Sequence, residues 1–137
     1  MGNNIKYFER VDLPIFWAED IAVHYWNKKV EYYSVSFAVG RICFPKLGEI
    51  VAIYLNGDLI FNISENIESD RVEIEGLQYF VHDKADSFLP ERPNHPILSS
   101  ANQSILSNYF YIYFEDLRLT KFGGRIPTVT CVFECTI

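Results

Sequence analysis

Tyr111-Ile112-Tyr113-Phe114-Glu115-Asp116-Leu117-Arg118-Leu119, then Phe122-Gly123-Gly124-Arg125-Ile126-Pro127, then Thr128 to Ile137, is the stretch that decides the fold class. Tyr109, Tyr111 and Tyr113 alternate with Phe110, Ile112 and Phe114, so the first run predicts a strand that is aromatic on both faces and covered on both. In the second run Val129, Cys131, Phe133, Cys135 and Ile137 share one face against Thr128, Thr130, Val132, Glu134 and Thr136, the period of a half-buried strand. Between them, Gly123 and Gly124 permit positive φ, Arg125 reverses the chain, and Pro127 sets the entry of the next strand. Two strands joined in this way close a β architecture and contain no nucleophile, acid–base pair or metal cage.

Working back towards the N-terminus, the same logic recurs. Asn56-Gly57 lies between Ile50–Leu55 and Leu59–Ile63, and both turn residues tolerate positive φ, so a type I′ hairpin is predicted. In Glu31 to Val39, Tyr33, Val35, Phe37 and Val39 share one face and Tyr32, Ser34, Ser36 and Ala38 the other, with Gly40 read as the terminator. Leu13 to Trp17 reads as one short strand, and Ala18 to Trp26 as either its continuation or a helical turn. Asp70–Glu75 and Leu77–His82 form a strand pair or one bent strand around Gly76. Pro90, Pro93 and Pro96 break the pattern between Ala85 and Asn108, which predicts a long irregular loop with one or two helical turns at most. The expected class is all-β, a barrel or sandwich with one long loop and at most a short helix.

Composition limits the function classes. A chain of 137 residues, 49% hydrophobic and 16% aromatic, fits one domain over residues 1–137 with a core that needs no disulfide or metal. Its net charge of −6 disfavours a phosphate-binding surface, so no nucleic acid partner is expected. Cys43, Cys131 and Cys135 lack CxxC spacing and point to a reducing compartment. The N-terminus lacks a signal-peptide pattern, and no apolar run approaches the roughly 20 residues of a membrane helix. Cytoplasmic synthesis without membrane insertion is the expectation.

Chemistry-bearing residues are sparse. His24, His82 and His95 form no ligand motif, and Cys131 and Cys135 lie roughly 13 Å apart on one strand face, so neither a metal nor another cofactor is expected. No GxSxG elbow or phosphate-cradling glycine loop occurs. Glu115-Asp116 reads as a solvated turn whose carboxylates point apart. The chain is therefore expected not to be an enzyme. The remaining constellation is aromatic: Trp17, Tyr25, Trp26, Tyr32 and Tyr33 are packed core, an assembly surface or a sugar platform.

In order along the chain, Leu13-Pro14-Ile15-Phe16-Trp17-Ala18-Glu19-Asp20-Ile21, Tyr32 to Gly40 with Arg41-Ile42-Cys43-Phe44-Pro45, the Asn56-Gly57 hairpin, and Tyr113 to Leu117 with Phe122 to Pro127 resemble segments of phage tail-tip and baseplate hub proteins. These are the host-specificity proteins of lambda-like phages and gene transfer agents. The chain departs from that pattern at Phe44, at Tyr54 to Asn56, and at Gly124, where Asn is usual.

The resemblance implies a tail-tube-like β fold and structural work in a tail tip. Such hubs are trimers that contact the distal tail ring and the tape-measure end, so the implied partners are further copies of the chain and neighbouring tail-ring or tape-measure proteins. The implied location is the cytoplasm of a bacterial host during synthesis and the virion tail after assembly. Trp17, Asn56, Gly57, Gly123, Gly124, Arg125 and Pro127 carry the motif. Tyr109, Tyr111 and Tyr113 are the candidate interface, because a strand aromatic on both faces needs a second cover. The alternative from a different class is a stand-alone carbohydrate-binding β domain built on Trp17, Trp26 and Tyr32.

Overall fold

A computed structural model describes residues 5–42, 49–62, 74, 77–82 and 109–136. The strands are β1 (Lys6–Leu13), β2 (Ile15–Ala18), β3 (Ala22–Trp26), β4 (Lys29–Ile42), β5 (Glu49–Leu55), β6 (Asp58–Asn62), β7 (Gln78–His82), β8 (Tyr109–Arg118) and β9 (Val129–Thr136). They form a 4-stranded sheet in the order β1-β9-β5-β6 and a 5-stranded sheet in the order β2-β4-β8-β7, with β3 also on β4. All pairings are antiparallel. The all-β expectation holds, and two sheets with a shared core make it a sandwich. The only helical element among the described residues is one 3-10 turn, Thr120–Phe122.

Alternation places the core where the sequence puts it. Val35, Phe37 and Val39 of β4, Phe110, Ile112 and Phe114 of β8, Ile53 and Leu55 of β5, and Val129, Cys131, Phe133 and Cys135 of β9 meet in one cluster. Phe37 stacks on Phe114 at 4.7 Å, and Phe110 meets Phe133 edge-on at 5.0 Å, so rings from both sheets interlock. Each such buried ring contributes about 3 kcal/mol through area removed from water.

Glu115-Asp116 is not a solvated turn. Both residues lie within β8, Glu115 is buried, and Asp116 has φ 49°. The register shifts here, because Val35 pairs with Leu117 while Phe37 pairs with Phe114. Asp116 is thus the extra residue of a β-bulge, and its amide donates to Ser36 Oγ at 3.0 Å. One inserted residue resets the phase of the strand, which is why Leu117 and Leu119 both join the core after Phe114.

Gly40 does not terminate its strand either, since β4 runs on to Ile42. A Cβ at Gly40 would strike the Phe110 carbonyl oxygen and lie 2.7 Å from Tyr111 Cβ. The glycine is there for close approach of two backbones. Nor is Leu13 to Trp17 one strand. Leu13 pairs with Val129 in one sheet and Ile15 with Val39 in the other, so the chain changes sheets at Pro14, whose carbonyl accepts from Gly40 N–H at 3.1 Å. Proline lacks the N–H that a continuous ladder would need.

Ala18 to Trp26 resolves towards strand, as β3. It joins β4 through Asn27 and Lys28, with φ of 48° and 65°, a second two-residue turn of the primed kind that the Asn-Lys pair advertises weakly. The Asn56-Gly57 turn has φ of 49° and 85°, with Leu55 opposite Asp58, as the pair predicts. Strand β7 carries the Leu77–His82 expectation. Cys43, Gly76, His95, and the segments 70–73 and 85–108 lie outside the described residues.

Candidate assembly interface

Exposed large hydrophobic residues are confined to one part of the described chain. Ile5, Tyr7, Phe8, Ile15, Phe16, Ile21, Val23, Tyr25, Trp26, Val30 and Tyr33 all precede residue 34, whereas β5 to β9 carry none. Isolated exposed apolar residues are ordinary, but a concentration of them marks a contact surface.

The centre of this surface is the β3–β4 ribbon. Strand β8 pairs with β4 only from Ser34 onward, so Lys29 to Tyr33 are held by β3 alone among the described residues. Val23 pairs with Tyr33 and Tyr25 with Val30, so these side chains share one face. That face continues the row of Val35, Phe37 and Val39 past the sandwich, where it is exposed: Tyr25 is 64% and Val30 46% accessible. Trp26, at 68%, stands at the tip.

The opposite face is braced. His24 stacks on Tyr32 at 4.2 Å and hydrogen-bonds Ser34 Oγ at 2.8 Å, while the Arg118 guanidinium lies 3.9 Å over the Tyr32 ring. At the ribbon's base, Leu119 N–H donates to the Tyr33 carbonyl at 2.9 Å, and Gly124 lies beside the Tyr33 ring. The ribbon is therefore fixed to the Leu119–Thr128 connection. Lys28 and Lys29 at its tip, and Arg118, Lys121 and Arg125 at its base, give it a basic border.

That connection also holds the motif residues. Gly123 and Gly124 have φ of 64° and 75°, and Gly124 N–H donates back to the Leu119 carbonyl at 3.1 Å, closing the 3-10 turn. Arg125 is exposed and Pro127 is buried. Thr128 then bonds to Asn56 at the tip of the other hairpin. Asn56, Gly57 and the Gly123–Pro127 turn are thus brought together by backbone geometry, whereas Trp17 lies elsewhere, with its ring 6.1 Å from that of Tyr113.

The tyrosine strand differs from expectation. Tyr111 and Tyr113 are 0% and 1% exposed, so their second face is covered within the chain and is not available as a contact surface. The cover includes Phe16, edge-on to Tyr111 at 6.0 Å, and Trp17. The bulge between Ile15 and Trp17 turns both rings towards the tyrosines, and Ala38 and Gly40 on the intervening β4 are small enough to let them across. Burial pushes the Tyr111 phenol up to about 12. Tyr109 opens the same strand. The exposed rings of the ribbon, Tyr25, Trp26 and Tyr33, belong to the aromatic set noticed in the sequence, but only the end of β8 pairing at Ser34 exposes them.

Among the described residues no group of His, Cys, Asp or Glu is arranged to hold a metal ion. Cys131 and Cys135 are free and buried, and burial pushes the Cys131 thiol up to about 12. The Tyr7 phenol is raised chiefly by its hydrogen bond to Cys135. No helix among the described residues is long and apolar enough to cross a membrane.

No protein-family model matches this chain, and no curated protein matches it. Among solved structures it is similar to a chain in the virion of a native gene transfer agent particle, with a TM-score of 0.53 and 19% identity. The alignment covers 97% of this chain and 27% of that one, so the chain spans about a quarter of its structural neighbour. At this identity the likeness is one of fold.

Proposed function

We propose that this chain is a non-enzymatic structural domain of a phage-like particle, working in the tail tip as a hub component that binds other virion proteins. The observation that carries the proposal is the fold shared along nearly the whole chain with a gene transfer agent virion protein. The hub-like segments noted above are the second support, since they run from Leu13 to Pro127 in the family's order. A virion role also accounts for the exposed apolar residues before residue 34, which a freely diffusing monomer would normally bury or replace. Its partners in this reading are further copies of the chain, as a homotrimer, and neighbouring tail-ring or tape-measure proteins.

Density-gradient purification of particles from the producing cells, followed by quantitative mass spectrometry, tests the role. The chain should co-purify in constant ratio to tail proteins. If it is expressed but absent from particles, the virion role is wrong. The exposed ring of Trp26 supports the second reading, a sugar-stacking surface, and retention on a glycan array together with absence from particles is the result that selects it.

A further inference from the structure

We propose that the β3–β4 ribbon is the arm with which one copy of this chain grips a second copy, its rings and lysines set against the acidic part of that neighbour's surface. The inference rests on the assembly reading above and adds to it the surface, the occupant and the mode of contact.

A two-stranded ribbon is marginal in water on its own, and this one leaves Val23, Tyr25, Val30 and Tyr33 in a row on one face. The ribbon is nonetheless held rigid by the Asn27-Lys28 turn, by the His24–Tyr32 stack and by Arg118. Rigid aromatic residues that lose little side-chain entropy on contact are the residues that dominate protein interfaces. Tyr25 and Trp26 at the projecting end have that character.

Charge identifies the occupant. The chain carries a net −6, yet Lys28, Lys29, Arg118, Lys121 and Arg125 of its 12 Lys and Arg border the ribbon, with Glu31 the acidic residue of the ribbon itself. The remaining surface is accordingly more acidic than the total indicates. A second copy therefore offers the complementary sign, whereas two ribbons brought face to face would repel. The contact is head-to-tail, with the ribbon of one copy on a different surface of the next. Such contacts close into a ring when the rotation per copy permits.

Sedimentation velocity of the full chain at tens of micromolar, in about 50 mM and about 500 mM salt, provides the test. Association is expected at low salt, with the apparent dissociation constant rising at least about tenfold at high salt because the lysines and their acidic partners are screened. Tyr25→Ser with Trp26→Ser should leave a monomer. Lys28→Asn with Lys29→Ser should weaken association without abolishing the apolar contact. These side chains are exposed, so circular dichroism should be unchanged, and the salt series needs no variant at all. A photo-crosslinker introduced at position 26 should capture peptides of another copy outside residues 22–33.

A chain that stays monomeric at low salt overturns the proposal. So does association insensitive to both variant pairs, or cross-linking of ribbon to ribbon. A chain found in particles but monomeric alone sinks this inference and spares the virion role, whereas a self-associating chain absent from particles does the reverse.

Discussion

Asn56 and Thr128 hold each other from both sides. Asn56 N–H donates to the Thr128 carbonyl at 2.9 Å, and Thr128 N–H donates to Asn56 Oδ1 at 2.8 Å. The backbone bond extends the β5–β9 ladder one step beyond Leu55 and Val129, and the side chain supplies the acceptor that the ladder lacks where the chain turns after Pro127. Asn56 thus serves twice, taking positive φ in its own hairpin and fixing the start of a strand 72 residues away.

Asn56→Ala removes the acceptor and the residue type that tolerates positive φ, and should cost about 1–2 kcal/mol. Asn56→Gly keeps the turn and loses only the side-chain bond, so it should cost less. Urea unfolding of the two variants checks the order. Equal stabilities would show that turn geometry contributes nothing at this position.

Gly40→Ala should destabilise by about 1–3 kcal/mol, because the new methyl group meets the Phe110 carbonyl and Tyr111 Cβ, both on a buried strand that cannot move aside. Gly57→Ala meets nothing within 4 Å, so only its φ of 85° opposes it and the cost should be about 1 kcal/mol. Comparison of their urea midpoints separates crowding from backbone strain.

Asp116→Gly should be tolerated in the bulge of β8, whereas Asp116→Val places a β-branched residue at φ 49° and should cost about 1–3 kcal/mol. Ser36→Ala removes the Oγ that accepts from Asp116 N–H and should cost about 1 kcal/mol. Thermal unfolding of the three variants reads the ranking directly.

Alkaline pH should unfold the protein through buried acids. The Cys131 thiol rises from 9.0 to about 12 and the Tyr111 phenol from 10.0 to about 12 in the fold, both by burial. The unfolded chain therefore releases these protons first. Their contribution to stability is fully present below the unfolded values and is lost as pH climbs through the folded ones. Urea midpoints should fall between about pH 8 and pH 11, and Cys131→Ala should reduce the slope. A flat profile in the unaltered protein would show that neither group ionises on unfolding in this range.

The sequence by itself determined the class of fold, the Asn56-Gly57 hairpin, the core face of β9 and the turn at Gly123-Gly124, because each rests on neighbours in the chain. Alternation, φ preference and the missing proline N–H act over a few residues and are legible wherever they occur. What tertiary structure decided are the points at which two distant segments meet. Gly40 looks like a stop until Tyr111 lies against it, Glu115-Asp116 looks like a turn until β4 pairs across the bulge, and Leu13 to Trp17 looks continuous until its ends pair in different sheets. The candidate surface follows the same division. That Tyr25, Trp26 and Tyr33 are aromatic is plain in the sequence. That they are exposed while Tyr111 and Tyr113 are buried depends on where β8 stops pairing with β4 and on which rings β2 sends across it, and no local preference encodes either.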